Sequence, residues 1–147
     1  MIGIIGAMEE EVQALKESMT VEEVREKAFM TFCQGKLCGQ DVVVVRSGIG
    51  KVNAGICAQI LVDDFQVDTL INTGVAGSLD ARIDIGDMVI SADALHHDMD
   101  ATVFGDPAGQ IPRMDVLAFR RTRNLWRRPG KPTRQPTRRS IHLWEEW

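Results

Sequence analysis

Short apolar runs that alternate with helical patterns constrain the fold of this chain more than any other feature. Ile2–Gly6 is apolar and closes on glycine, and Val42–Val45 is a continuous run of β-branched residues. Runs of this kind predict strands that are buried on both faces, as in sheets covered by helices. The sequence therefore predicts an α/β fold with a mixed, largely parallel sheet.

The predicted strands and helices follow one another along the chain. After the first strand a helix opens at Ala7, and its apolar face carries Met8, Val12, Leu15 and Met19. The later predicted elements are strands Phe29–Gln34 and Asp41–Arg46 joined by a turn at Gly39, a helix Val52–Phe65, and strands Thr69–Thr73 and Asp87–Ala92. Ligands bind beyond the carboxyl ends of parallel strands. We therefore expect a site where small residues follow the strands, at Gly6–Met8, Ser47–Gly50 and Thr73–Gly77.

Three polar segments are candidates for chemistry. The run Glu9–Glu11 lies on a helix, where neighbours point about 100° apart, so at most one carboxylate faces a pocket. A solvated acidic first turn is the alternative interpretation. The loop Ser47–Lys51 is rich in glycine but lacks the full GxGxxG fingerprint, which favours a plain strand-to-helix turn. His97 beside Asp98 is interpreted as a structural hydrogen-bond pair.

Charge is distributed unevenly along the chain. Residues 1–119 contain eight basic and nineteen acidic side chains, whereas residues 120–147 contain nine basic and two acidic ones and all three tryptophans. Such a break indicates two regions of different origin. We predict that residues 120–147 are an out-of-frame basic tail. Their back-translation, read one base earlier, can encode ADEELVEKAGKADKAANPEIHTFVGRV without a stop, so one base deleted after Phe119 suffices.

The rival hypothesis for residues 120–147 is a basic arm that binds nucleic acid. Arginines would contact phosphates and tryptophans would stack on bases. We rank this hypothesis lower, because basic composition without a recognised module is weak support for nucleic-acid binding.

Composition also suggests a cellular compartment. Cys33, Cys38 and Cys57 are odd in number and lack metal-ligand spacing, so we expect reduced thiols rather than disulfides or a metal cage. The amino terminus lacks the basic leader and cleavage site of a signal peptide, and no run approaches the roughly 18 apolar residues of a membrane helix. We therefore expect a cytoplasmic protein without a membrane segment.

The order of the motifs identifies a family. The succession IGIIGAMEEEV, SGIGKVNA, INTGVAGSLD, IGDMVIS and HHDMDATVFGDPAGQIP resembles the 5′-methylthioadenosine/S-adenosylhomocysteine nucleosidases of the purine nucleoside phosphorylase superfamily. The resemblance covers residues 1–119 and implies the amino-terminal part of a nucleosidase domain, since family members are longer. It implies a three-layer α/β/α sandwich, truncated here, and a homodimer. The implied reaction is hydrolysis of the N-glycosidic bond, which releases adenine from a thioadenosine nucleoside without metal or organic cofactor.

The resemblance also implies roles for individual residues. Glu11 matches the family's water-activating glutamate, and the substrate-binding positions correspond to Met8 (ribose), Ile49 (alkylthio group), Ala76 and Gly77 (purine and ribose), and Phe104 and Pro112 (lent to a partner subunit). The chain departs from the family at Val75, where serine is usual, at His96, where tyrosine is usual, and at Asp106–Ala108.

Nothing after Phe119 matches the family's ribose-binding Met-Glu pair or its purine-protonating aspartate. An inactive truncated fragment is therefore one alternative. A purine nucleoside phosphorylase-type enzyme is another, although Arg46 is only a weak candidate for its phosphate site.

Overall fold

The computed structural model describes residues 1–122, which divide into two compact units, the first covering Met1–Val75 and the second beginning at Ala76. The proposed out-of-frame tail lies outside the described residues except for Arg120, Arg121 and Thr122. Within residues 1–122, no helix is both long enough and apolar enough to cross a membrane.

The first unit is a five-stranded mixed sheet with two helices. Its elements are β1 (Ile2–Gly6), α1 (Glu9–Ser18), β2 (Thr20–Lys27), β3 (Met30–Leu37), β4 (Gln40–Arg46), α2 (Lys51–Phe65) and β5 (Thr69–Asn72). The strand order is β2-β3-β4-β1-β5, and β1 pairs in parallel with both β4 and β5. The pairs β2–β3 and β3–β4 are antiparallel, because the two-residue turns between these strands permit only hairpins. The sheet is therefore mixed, with its parallel part centred on β1.

Helices cover both faces of this sheet. Successive strand residues point to opposite faces, so Ile4 and Val44 pack in the cluster that contains Val12 of α1. Ile5 and Val45 pack on the other face, in the cluster that contains residues of α2. The predicted three-layer α/β/α arrangement is thereby confirmed.

The sequence analysis did not predict strand β2. All eight of its residues are exposed, and its sequence TVEEVREK is dominated by charge. An edge strand of this kind has no buried face and hence no apolar signal, and its charges discourage pairing with other chains. Its partner β3 is longer than predicted, running from Met30 to Leu37.

The described part of the second unit contains only short elements. Strands β6 (Asp93–Ala94) and β7 (Phe119–Arg120) are antiparallel, and a 3₁₀ turn covers Thr102–Phe104. The predicted strand Asp87–Ala92 is wrong: its apolar pattern is present, but in the described part of the second unit the first strand residue is Asp93. Met88, in the middle of that pattern, is 88% exposed, so burial does not hold the segment in a sheet.

Candidate active site at the carboxyl end of strand β1

Glu11 is the most extensively bonded carboxylate at the carboxyl end of β1. Because α1 begins at Glu9, Glu11 is the third helical residue and can reach back to the residues before the helix. Its Oε2 accepts hydrogen bonds from the backbone N–H groups of Ala7 at 2.7 Å and Met8 at 3.0 Å. The carboxylate thus caps the positive end of α1 while remaining partly exposed.

A second strand end holds the other carboxylate oxygen. Oε1 of Glu11 accepts a hydrogen bond from the N–H of Val75, just beyond β5, at 3.0 Å. Gly74 permits this approach, since a Cβ there would lie 2.6 Å from Oε1. Gly6 serves the same purpose on β1, where a Cβ would lie 2.6 Å from Val12 Cγ1 and 3.1 Å from Glu11 Cβ. The small residues predicted to line the site therefore make room for one carboxylate.

The glycine loop after β4 lies beside β1. Ser47 is buried, its N–H donates to the Gly6 carbonyl at 2.9 Å, and its hydroxyl donates to the Gly48 carbonyl at 2.9 Å. Gly48 has φ of 84°, a conformation that glycine adopts at low cost. The following Ile49 is 52% exposed, and its carbonyl accepts a hydrogen bond from the Asn53 amide at 2.7 Å. The loop thereby presents an apolar side chain next to the end of β1.

An open depression of about 410 Å³ joins these segments. Its lining consists of Ala7, Met8, Glu9, Glu10, Arg46, Gly48 and Ile49. The structure therefore brings Met8 and Ile49, both predicted to bind substrate, into one depression. Glu9 forms ion pairs with Lys16 at 2.8 Å and with the Arg46 guanidinium at 3.7 Å.

The remaining sequence-predicted residues belong to the second unit. Ala76 and Gly77 are exposed at its start. Phe104 lies in the 3₁₀ turn with 86% of its surface exposed, and Pro112 is also exposed. Nδ1 of His96 lies 3.9 Å from Oδ1 of Asp98, within ion-pair distance.

Sequence reasoning did not find Gly74 as a determinant of the carboxylate's position, nor the Arg46–Glu9 pair. The signal for Gly74 was present as a glycine directly after a strand, but its contact with Glu11 spans more than sixty residues. Among residues 1–122 no group of three or more His, Cys, Asp or Glu side chains could hold a metal ion. Burial raises the pKa of the Cys57 thiol to about 11, so it is a poor nucleophile at neutral pH.

Comparison with known proteins identifies the superfamily to which the chain belongs. A family model described as the phosphorylase superfamily matches residues 1–138, and the chain belongs to that superfamily. Within it, the chain is similar to a 5′-methylthioadenosine/S-adenosylhomocysteine nucleosidase of Colwellia psychrerythraea, with 54% identity over 110 residues, 75% of this chain and 45% of the relative. The nucleosidase resemblance predicted from the motifs is thus confirmed.

Solved structures agree with this relationship. The crystal structure of the Colwellia psychrerythraea nucleosidase with adenine matches at a TM-score of 0.78 and 51% identity, covering 81% of this chain and 49% of that one. The S. pneumoniae nucleosidase with the transition-state inhibitor MT-ImmA matches at a TM-score of 0.79 and 40% identity, covering 83% and 53%. The chain spans about half the length of the relatives it matches.

Proposed function

We propose that the protein hydrolyses the N-glycosidic bond of 5′-methylthioadenosine and S-adenosylhomocysteine, with Glu11 as the residue that activates water. The observation that carries this proposal is the bonding of the Glu11 carboxylate. A carboxylate offers about four acceptor positions, and three backbone N–H groups occupy three of them. The remaining position, on Oε1, is available to a water molecule.

The chemistry accounts for such a rigid carboxylate. As adenine leaves, the ribosyl group becomes oxocarbenium-like, and a water must be held and deprotonated at the sugar carbon. A general base works best when its geometry is fixed before the reaction. Three backbone donors fix Glu11 without any side chain that could rotate away. Protonation of the purine and binding of the ribose hydroxyls would require residues beyond those matched here.

We assign substrate contacts to Met8 and Ile49 in the depression, and to Ala76 and Gly77 after β5. The support for the first two is their shared lining of one cavity. We further propose a homodimer in which Phe104 and Pro112 complete the partner's pocket. Both are exposed in the single chain, and an aromatic ring that is 86% exposed is well suited to packing against a second subunit.

A phosphorylase of the same superfamily is less well supported. Such an enzyme needs a site for a phosphate dianion, and Arg46 is the cation in the depression. Glu9 lies 3.7 Å from its guanidinium, and Glu10 also lines the depression. Two carboxylates would repel a dianion, which favours water over phosphate as the nucleophile.

We also propose that residues 1–119 are the amino-terminal part of the nucleosidase domain and that residues 120–147 are read out of frame. Sequencing the gene across codons 119–121 tests this: codons incompatible with the family-like frame would overturn it. For the location we propose the cytoplasm, on the support of three free cysteines, two of them buried.

The decisive experiment measures adenine release from 5′-methylthioadenosine in phosphate-free buffer by the frame-restored protein, beside the 147-residue chain. We expect release without phosphate from the frame-restored protein, and its abolition by Glu11→Gln. Glu17→Gln is the matched control, because Glu17 is an exposed residue of the same helix. Release that required phosphate would favour the phosphorylase. Full activity of Glu11→Gln would refute the assigned role, and adenine release by the frame-restored protein but not by the 147-residue chain would show that the latter is an inactive fragment.

A further inference from the structure

The depression beside β1 contains charged groups that hydrolysis of the glycosidic bond does not use. Met8 and Ile49 contribute apolar side chains to its lining, whereas Glu9 and Glu10 contribute carboxylates and Arg46 contributes a guanidinium. A pocket for a methylthio group alone needs only the apolar part. The charges therefore require a separate explanation.

Resting on the proposed function, we infer that Arg46, Glu9 and Glu10 form a subsite for the zwitterionic α-amino-acid head of a 5′-thioadenosine nucleoside such as S-adenosylhomocysteine. Arg46 binds the α-carboxylate and the glutamates bind the α-ammonium. A ligand head with one charge of each sign matches a lining that also carries both signs. Neither a neutral methyl group nor a dianion has this complementarity.

The geometry of Arg46 leaves it able to accept such a ligand. Its nearest carboxylate oxygen in Glu9 is 3.7 Å away, which is longer than a hydrogen bond. Glu9 is bonded more closely to Lys16, at 2.8 Å. The side chains of Arg46 and Glu9 are about half exposed, at 53% and 48%, so a ligand can reach both. A planar guanidinium can hold a carboxylate through two parallel hydrogen bonds.

The charged residues of the subsite lie close in the chain to the apolar residues of the same lining. Arg46 is the last residue of β4, and Ile49 follows three residues later in the glycine loop. Glu9 follows Met8 directly. Each charged residue therefore lies within three residues, along the chain, of an apolar residue that lines the same depression. In S-adenosylhomocysteine a short methylene chain joins the sulfur to the amino-acid head. With the sulfur at the apolar residues, this chain would bring the head to Arg46, Glu9 and Glu10.

The test is an NMR titration of the ¹⁵N-labelled 147-residue chain with S-adenosylhomocysteine and, separately, 5′-methylthioadenosine, which lacks the amino-acid head. We expect S-adenosylhomocysteine to bind more tightly and to shift the Arg46 Nε–H signal. Arg46→Met should weaken its binding about threefold to tenfold, as expected for partly exposed charged pairs, and leave 5′-methylthioadenosine unchanged. Arg46→Lys should weaken S-adenosylhomocysteine binding less than Arg46→Met does, because lysine keeps the positive charge but cannot form the two parallel hydrogen bonds of a guanidinium.

Lys36→Met is the matched control. Lys36 lies on β3 and pairs with Asp41 near the start of β4, so the variant removes the same charge beside the end of β4 opposite Arg46. Equal binding of the two nucleosides, or a preference that survives Arg46→Met, would overturn the inference and leave the proposed function standing. Tighter binding of S-adenosylhomocysteine by Glu9→Gln would overturn the ammonium assignment. Absence of any shift at Met8 and Ile49 would also overturn the subsite, whereas adenine release decides the proposed function independently.

Discussion

Gly74→Ala tests whether the missing side chain at the end of β5 holds the site together. The new Cβ would lie 2.6 Å from Glu11 Oε1 and 3.0 Å from its Cδ, so either the carboxylate or the strand end must move. Movement breaks the 3.0 Å hydrogen bond from Val75, and a hydrogen bond to a charged group contributes about 1.5–3 kcal/mol. Reduced entropy of the unfolded chain offsets about 0.4–1 kcal/mol. We expect a net destabilisation of about 1–2 kcal/mol.

Urea denaturation followed by far-UV circular dichroism measures this change. Gly55→Ala is the matched control: it lies in α2, its added Cβ meets nothing within 4 Å, and it should stabilise by about 0.5–1 kcal/mol. In a Glu11→Ala background the clash is absent, so Gly74→Ala should cost nothing there. An equal cost of Gly74→Ala with and without the Glu11 carboxylate would refute the reasoning.

Three further outcomes are expected. In the frame-restored protein, mixing inactive Glu11→Gln subunits with inactive Phe104→Ser subunits should restore about a quarter of the activity if a dimer shares its sites, and no recovery would count against the shared site. Leu61→Ala should cost about 2–5 kcal/mol in urea denaturation because Leu61 is fully buried, whereas Val62→Ala, at a 43% exposed neighbour, should cost well under half as much. The hydrogen-bonded lysine on β3 lowers the pKa of Asp41, so this carboxylate stabilises the fold above its unfolded pKa and loses that effect as pH falls through the lower folded value. Asp41→Asn should therefore reduce the acid sensitivity of unfolding slightly, and an unchanged pH profile would show that the pair contributes nothing.

The sequence by itself determined the buried strands and the two helices that cover them. The apolar runs at β1 and β4 are specified by local pattern, because strands buried on both faces tolerate only apolar side chains. The helix α2 was predicted to within one residue of its start. The exposed strand β2 is decided by its hairpin pairing with β3, and backbone pairing carries little sequence signal when neither face of a strand is buried. The segment Asp87–Ala92 shows the converse, because its apolar pattern is not matched by burial or by strand pairing within residues 1–122.

For the candidate site too, some features follow from the sequence and others only from the tertiary structure. The family resemblance of the sequence motifs singled out Glu11, Met8 and Ile49, whereas pattern alone favoured a solvated acidic turn and a plain strand-to-helix turn at these positions. Only the tertiary structure decided that the Val75 amide completes the support of Glu11 and that Arg46 faces Glu9. Both contacts join segments far apart in the chain, and they exist because parallel pairing of β1 with β4 and β5 brings three strand ends to one edge of the sheet.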